Sequence, residues 1–319
     1  MPLDPQIEAM LSQMSEWPPI RGIPLDKLRE SVRASSIAIP APNVTLASVA
    51  DRTLAGPASA IPVRIYTPEG DGPFPIVVYF HGGGFVVGDL DTQDMIARGL
   101  AAGAASIVVS VAYRLAPEHK FPAAPEDAWA ATQWVAAHAA EIGGDPTRLA
   151  VAGDSAGGVL ASAVAIQARD AGAPRLAAQV NWYGPGTHPI PEEGSAREYA
   201  NGPILRLDDA HYFWELYLAD PSQFDDFRAS PAKAHDHADL APAFVATAEC
   251  DPIRDATEHY ARVLEAAGVE VELRRYPGMV HGFVSWAGFL PPAKAALDDA
   301  CAFLQRHFAA VEEPAEGAV

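Results

Sequence analysis

The sequence has few cysteines and no long apolar run. Among its 319 residues only two are cysteine, Cys250 and Cys301, and neither belongs to a CxxC pair or a metal-type cluster. Two such residues cannot form a disulfide framework, and they are expected to be buried thiols in a reducing compartment. No apolar run approaches the roughly 20 residues of a membrane-spanning helix, so the chain is not expected to cross a membrane.

Basic residues are also scarce. The chain has 22 lysines and arginines against 41 aspartates and glutamates, which gives a net charge of −19. Such a surface repels phosphate backbones and anionic lipid headgroups, because both bind basic patches. Nucleic acid and acidic membranes are therefore not expected as partners. The N-terminal stretch contains Asp4 and Glu8 but no basic or apolar segment, which predicts no secretory signal and a cytoplasmic location.

Short β-branched runs alternate with alanine-rich stretches along most of the chain. The runs predict eight strands, at about residues 44–53, 61–67, 76–80, 107–113, 149–152, 179–183, 243–247 and 269–276. The alanine-rich stretches predict helices at 92–102, 124–140, 156–171, 255–267 and 292–308. This alternation is typical of the α/β class, with a mostly parallel eight-stranded sheet covered by helices on both faces.

Two segments interrupt the alternation and divide the chain. Residues 1–40 predict two short amphipathic helices, and residues 184–238 form a long excursion with an aromatic helix at 211–218. Excursions longer than about 15 residues inside a compact domain commonly act as lids, although a helical insertion that only packs is the alternative. The core is then formed by residues 41–183 and 239–310, and 311–319 has the composition of a disordered tail.

The residues Gly153-Asp154-Ser155-Ala156-Gly157 lie where a predicted strand ends and a helix begins. They match the G-x-S-x-G pattern of a nucleophile elbow in the strand, turn and helix context that this pattern requires. The glycines are needed because side chains beside the serine would collide with neighbouring backbone in so tight a turn. Ser155 is therefore the candidate nucleophile.

A second glycine-rich loop, His81-Gly82-Gly83-Gly84, follows the strand at 76–80. Its bare backbone amides are suited to stabilising an oxyanion. A dinucleotide-binding fingerprint would need glycine at position 87, which is valine, and a phosphate loop would need lysine at position 89, which is aspartate. The loop therefore predicts an oxyanion hole, and no organic cofactor is expected.

A serine nucleophile needs a base and an acid that orients the base. Of the ten histidines, His281 follows a late strand directly, and Asp251 ends the strand before it. The chain order Ser155, Asp251, His281 is the order that a nucleophile-elbow hydrolase requires. Asp255 is interpreted as the N-cap of the following helix. Glu249 is a candidate neighbour of the site.

In combination, five sequence blocks resemble the hormone-sensitive-lipase-like branch of the α/β-hydrolases, the bacterial family IV esterases. The blocks are His81-Gly82-Gly83-Gly84, Tyr113-Arg114-Leu115-Ala116-Pro117-Glu118, Gly153-Asp154-Ser155-Ala156-Gly157-Gly158, Asp251-Pro252-Ile253-Arg254-Asp255 and His281-Gly282-Phe283. The resemblance implies a Ser155, Asp251 and His281 triad, oxyanion amides from Gly83, Gly84 and Ala156, and a cap made by the N-terminal helices and the excursion after Tyr183. It also implies short to medium acyl esters as substrates.

The expected function is that of a serine carboxylesterase acting on small, neutral, partly apolar esters without a metal or cofactor. Candidate substrate-binding residues are Phe85, Tyr183, Phe213, Trp214, Tyr217 and Trp286. An amidase, lactonase or thioesterase with the same triad is an alternative, as is a non-catalytic binder on the same fold. The run at 235–239, with two histidines, is interpreted as a solvated surface segment and not as a metal site. The chain is expected to be a monomer or a homodimer.

Overall fold

The computed structural model describes residues 3–13, 18–40 and 43–312. Within these residues the strands are β1 (Ser48–Leu54), β2 (Ile61–Thr67), β3 (Phe74–Phe80), β4 (Ile107–Val111), β5 (Gly144–Asp154), β6 (Ala178–Trp182), β7 (Ala243–Cys250) and β8 (Val271–Val280). The α-helices are α1 (Pro5–Gln13), α2 (Leu25–Ile37), α3 (Asp94–Gly103), α4 (Ala123–Ala137), α5 (Ala156–Ala171), α6 (Ser195–Glu198), α7 (Leu207–Tyr217), α8 (Arg254–Ala266) and α9 (Pro291–Glu312). Most of the predicted tail, residues 313–319, lies outside the described residues.

The eight strands form one sheet in the order β1-β2-β4-β3-β5-β6-β7-β8. Strand β2 runs antiparallel to both of its neighbours, and the remaining pairs are parallel. The prediction of a mostly parallel eight-stranded sheet is therefore confirmed. Because the parallel strands end at the same edge, the loops that follow β3, β5, β7 and β8 meet there.

Strand β8 extends further than the sequence predicts. The predicted strand at 269–276 ends before Pro277 and Gly278, yet pairing with β7 resumes at Val280 after a shift of register. Gly278 has φ +67°, a conformation that glycine adopts without strain. This bulge carries the strand to the residue directly before His281 and so decides where that side chain enters the site.

Alternate residues of the central strands serve two separate cores. Ile76, Val78 and Phe80 of β3 belong to one cluster with α4 and α5, whereas Val77 and Tyr79 belong to another with α3 and α9. All five side chains are fully buried. Helices therefore cover both faces of the sheet, which explains why residues 76–80 of β3 form an unbroken hydrophobic run.

The segment between α1 and α2 contacts the excursion at 184–238. The Ile20 amide donates to the Asp209 carboxylate at 3.0 Å, and Arg21 pairs with Glu215 at 2.6 Å. The ring of Phe213, on α7, lies directly against Gly84 in the loop after β3. These contacts bring both segments to the edge of the sheet where the parallel strands end.

The run at 235–239 is less exposed than expected. His237 is buried, and its Nε2 atom lies 2.9 Å from the Pro231 carbonyl oxygen, whereas His235 and Asp236 are exposed. The prediction of a wholly solvated segment is wrong at His237, because the chain turns back there onto the short helix at Pro231–Lys233. In the described ranges no helix is long and apolar enough to cross a membrane.

A buried ion pair provides a test of the packing around α4. Arg114 donates twice to the Asp127 carboxylate at 2.8 Å, and the Asp127 side chain is only 1% exposed. Changing Arg114 to Met leaves that carboxylate buried without its cation, so we expect the free energy of unfolding to fall by about 3–5 kcal/mol. Urea denaturation at neutral pH measures the change.

The matched control is the double variant Arg114→Met with Asp127→Asn. It removes both charges and keeps an oxygen for the Arg114 amide, which donates to Asp127 at 2.9 Å. We expect it to recover most of the lost stability. A single variant as stable as the wild type would show that the pair contributes nothing to folding.

Candidate active site

Ser155 lies in a sharp turn between β5 and α5. Its backbone has φ +53° and ψ −120°, outside the regions that a non-glycine residue normally adopts. The Ser155 amide donates to the Trp182 carbonyl oxygen on β6 at 2.8 Å, which holds the turn against the sheet. Strain of this kind costs about 1–3 kcal/mol and is found mainly at functional sites.

The two glycines of the elbow are required by close backbone contacts. A Cβ atom on Gly153 would lie 2.1 Å from the Gly157 carbonyl oxygen, and one on Gly157 would lie 1.9 Å from the Phe80 carbonyl oxygen. Real Cβ atoms do not approach backbone this closely. The predicted reason for the G-x-S-x-G spacing therefore agrees with the geometry.

The structure brings Ser155, His281 and Asp251 together in one hydrogen-bonded chain. The His281 Nε2 atom is 2.9 Å from Ser155 Oγ, and its Nδ1 atom is 2.8 Å from Asp251 Oδ2. Asp251 is fully buried, and its Oδ1 atom accepts from the Ile253 amide at 3.0 Å. A carboxylate at Nδ1 favours the tautomer with a proton there, which leaves Nε2 free to accept the Ser155 proton.

A cavity of about 220 Å³ opens beside Ser155, and the glycine-rich loop forms part of its wall. Gly83, Gly84 and Ala156, the predicted oxyanion residues, all line it. Gly83 and Gly84 have φ of +117° and +59°, so the loop follows a path that other residues would resist. Ala156 begins α5, where backbone N–H groups lack partners within the helix and the helix dipole is positive.

Asp154 is a buried residue of the site whose role sequence reasoning missed. Its Oδ1 atom accepts from the Tyr79 hydroxyl at 2.6 Å and from the Gly82 amide at 2.8 Å, which ties the elbow to the glycine-rich loop. Burial raises the pKa of this carboxyl to about 6, although both hydrogen bonds act in the opposite direction. The only sequence signal for Asp154 is its place next to Ser155 in the G-x-S-x-G motif, and the motif accepts any residue at that place.

The six predicted substrate-binding side chains divide into three groups. Phe85, Phe213 and Trp214 line the cavity beside Ser155, and Trp286 lines an adjoining one. Tyr183 and Tyr217 are fully buried behind the wall and do not line either cavity. Tyr217 stacks on Phe85 with ring centroids 3.8 Å apart, and Tyr183 packs edge-on against His281 at 4.9 Å, so both support residues that face the cavity.

One other prediction near the site needs correction. Asp255 is not the N-cap of α8, since that helix begins at Arg254 and the cap position is Ile253. The Asp255 carboxylate instead accepts from the Ser195 amide at 2.8 Å and so holds the excursion. Glu249, by contrast, stays a candidate neighbour of the site: its Oε2 atom accepts from the Gly278 amide at 2.8 Å, in the bulge just before His281.

Several lining residues lay outside the prediction because only folding brings them to the site. They are Gln93, Val159, Pro185, Ile190, Ile204, Leu205, Ala210, Ile253, Gly282 and Ser285. Most are apolar residues in loops or in the excursion, where no periodicity marks their direction. In the ranges that the structure describes, no cluster of three or more His, Cys, Asp or Glu side chains could hold a metal ion.

Comparison with known proteins matches residues 77–285 to the model of a family with the alpha/beta hydrolase fold. The chain belongs to the α/β-hydrolase family. It is 43% identical to the esterase LipI of Mycobacterium tuberculosis over 297 residues, with 92% of each chain covered. It is 48% identical to the carboxylesterase NlhH of the same species over 250 residues, with 77% of this chain and 78% of the relative covered.

Solved structures agree with this assignment. An esterase from Pyrobaculum calidifontis superposes with a TM-score of 0.88 at 40% identity, covering 96% of this α/β-hydrolase and 99% of the esterase. The predicted fold class and the resemblance to the hormone-sensitive-lipase-like branch are confirmed.

The raised pKa of Asp154 predicts how stability depends on pH. The Asp154 carboxyl binds its proton more tightly in the folded α/β-hydrolase than in the unfolded chain. The free energy of unfolding therefore falls as pH rises from about 4 to about 6. Asp154→Asn keeps an oxygen for Gly82 and Tyr79 but cannot ionise. Relative to the wild type, the variant should gain about 2 kcal/mol between pH 4 and pH 8, measured by urea denaturation at the two pH values.

Asp51→Asn is the control of opposite sign. The hydrogen bond to Arg64 lowers the pKa of the exposed Asp51 carboxyl. The pair therefore stabilises the wild type above the ordinary carboxyl pKa, and this contribution is lost as pH falls. Relative to the wild type, this variant should therefore lose stability as pH rises to about 4, which is below the range in which Asp154→Asn gains stability. A pH-independent difference between Asp154→Asn and the wild type would contradict the buried, proton-binding carboxyl.

Proposed function

We propose that the protein is a serine carboxylesterase that hydrolyses neutral esters of short to medium chain length through an acyl-enzyme. The observation that carries the proposal is the hydrogen-bonded chain from Asp251 through His281 to Ser155, which ends at an apolar cavity beside the glycine-rich loop. The relatives named as esterases and carboxylesterases support the same reaction.

In the first step Ser155 Oγ attacks the carbonyl carbon of the ester while His281 Nε2 takes the hydroxyl proton. The carbonyl electron pair moves onto oxygen, and amides of Gly83, Gly84 and Ala156 donate to the resulting oxyanion. Losing one such donor typically costs about 2.7–4 kcal/mol of barrier. The Asp251 carboxylate holds the His281 tautomer and stabilises the imidazolium that forms.

In the second step the bond between the carbonyl carbon and the alcohol oxygen breaks, and His281 gives its proton to the leaving alcohol. Ser155 is left as an ester of the acid. Water then attacks the same carbonyl carbon, with His281 again accepting the proton and returning it to Ser155 Oγ as the acid leaves. The cycle balances without a metal or an organic cofactor.

The charges of the cavity wall favour neutral substrates. Among the described residues that line the cavity beside Ser155, Asp154 is the one ionisable residue apart from the triad, and most of the others are apolar. A substrate with a carboxylate in its acyl part would meet a like charge once Asp154 is ionised, since the pKa of that group lies at about 6.

We further propose that residues 1–40 and 184–238 form a cap over a core made of 41–183 and 239–310. The contact of Phe213 with Gly84 and the hydrogen bond from Ile20 to Asp209 support this division. The cytoplasmic location, the monomeric or homodimeric state, and the absence of nucleic-acid partners stay predictions.

The decisive experiment compares the wild type with Ser155→Ala and His281→Ala on p-nitrophenyl esters from acetate to palmitate. Each variant should lose several orders of magnitude in kcat, and the double variant should be little worse than either, because the two residues act as a unit. The matched control is Ser162→Ala, on α5, the helix that follows Ser155. The Ser162 hydroxyl donates to the Gly158 carbonyl oxygen, and Ser162 does not line the cavity. It should keep its activity.

Three outcomes would overturn the proposal. Undiminished turnover by Ser155→Ala would remove the nucleophile from the mechanism. A folded wild type that hydrolyses no ester, yet hydrolyses an anilide, lactone or thioester, would move the assignment to amidase, lactonase or thioesterase. Failure of an organophosphonate to label Ser155 would favour a non-catalytic binder.

A further inference from the structure

Two cavities of unequal size meet at His281. The cavity beside Ser155 has a volume of about 220 Å³, and the adjoining one has about 500 Å³, more than twice as much. The residues that line both are Ile204, Leu205, Phe213, His281, Gly282 and Ser285. The larger cavity therefore opens directly onto the imidazole that exchanges protons with the substrate.

The atoms of the reaction distinguish the two cavities. During acyl transfer the carbonyl group must lie at Ser155 and the glycine-rich loop, whereas the leaving oxygen must lie beside His281 Nε2. Ser155, Gly83, Gly84 and Ala156 line the smaller cavity only. The larger cavity shares His281 with the smaller one but none of these residues, so it is placed to receive what lies beyond the leaving oxygen.

We propose that the smaller cavity takes the acyl part of the ester and the larger one takes the alcohol part. The preferred substrates are then esters of short acids with large, apolar alcohols. This inference rests on the proposed esterase function and adds the division of the substrate between the two cavities.

Phe213 forms the partition between the cavities. A Cβ atom on Gly84 would lie 2.3 Å from Cγ of the Phe213 ring, so the ring is seated directly on the predicted oxyanion loop. Trp214, next in α7, closes the smaller cavity and is held in place by stacking on His188, with ring centroids 4.3 Å apart. A longer acyl chain in the smaller cavity would therefore contact the side chains of Phe213 and Trp214.

The wall of the larger cavity is apolar and firmly held. Leu28 and Val32 on α2 line it, together with Trp286 and the half-exposed Phe289 at its rim. Arg29, on the same helix, donates to the Val86 carbonyl oxygen at 2.9 Å and to both Glu118 carboxylate oxygens at 2.8 Å. Burial of apolar surface is worth about 25 cal/mol per Å², so a wall of this kind rewards an apolar alcohol.

The first test uses two isomeric esters, octyl acetate and ethyl octanoate, which contain the same atoms but place the long chain on opposite sides of the ester bond. After correction for their rates of hydroxide hydrolysis, we expect kcat/KM to be at least about tenfold higher for octyl acetate than for ethyl octanoate. The reason is that the octanoyl chain of ethyl octanoate has to enter the smaller cavity. The measurement is made in a pH-stat below the solubility limits, with ethyl acetate as reference.

Equal rates, or faster hydrolysis of ethyl octanoate, would overturn the division of the substrate while leaving the esterase function intact. Failure to hydrolyse ethyl acetate and both isomers would instead overturn the proposed function. The two failures are therefore distinguishable in one experiment.

The second test narrows each cavity separately. Val32→Trp fills part of the larger cavity only, and Ala210→Leu, on α7, fills part of the smaller one only. Val32→Trp should lower the ratio of octyl acetate to ethyl acetate turnover about tenfold. Ala210→Leu should lower the ratio of ethyl butyrate to ethyl acetate turnover. It should leave the ratio of octyl acetate to ethyl acetate turnover nearly unchanged.

Ratios measured on one protein sample are independent of the fraction that is folded. Ser35→Trp, which places the same bulk in the larger cavity from an exposed position on α2, repeats the test if Val32→Trp is unstable. If filling the larger cavity lowered hydrolysis of ethyl butyrate more than that of octyl acetate, the assignment of the two cavities would be reversed.

Discussion

No side chain fits between the end of β3 and the first turn of α5, and the site depends on this contact. A Cβ atom on Gly157 would lie 1.9 Å from the Phe80 carbonyl oxygen, and one on Gly82 would lie 2.4 Å from Asp154 Oδ2. The glycine-rich loop and the elbow can therefore touch backbone to backbone. Because β3 and β5 are parallel neighbours in the sheet, the same contact places Gly83 and Gly84 beside Ser155.

The site is also where the fold stores strain and buried charge. Of the five non-glycine residues with positive φ among those described, Phe85, Ser155 and Tyr183 lie around His281 and the glycine-rich loop. The carboxylates of Asp154 and Asp251 are both buried nearby. Each feature opposes folding, so the surrounding sheet must supply the compensating stability. An arrangement that costs free energy and still persists is evidence that the chemistry requires it.

The sequence predicts the residues whose position follows from the sheet and misses those whose position follows from side-chain direction. Ser155, Asp251 and His281 end or follow strands, and strand ends in a parallel sheet meet by topology. Tyr183 and Tyr217 lie in the expected segments but are fully buried, and their rings pack on His281 and Phe85 instead of lining a cavity. The prediction that Asp255 caps α8 is wrong because its side chain points to a distant partner, the Ser195 amide, which is 60 residues away in sequence.

The wall of the larger cavity can change more freely than the triad. Ser155 and Asp251 follow β5 and β7, whose last residues are fully buried, so substitutions beneath them disturb the core. Val32, Ser35 and Phe289 are instead partly or wholly exposed residues of α2 and of the loop before α9, where substitutions cost little stability. Selectivity for the alcohol can therefore vary while the reaction stays the same, because the two properties depend on different layers of the fold.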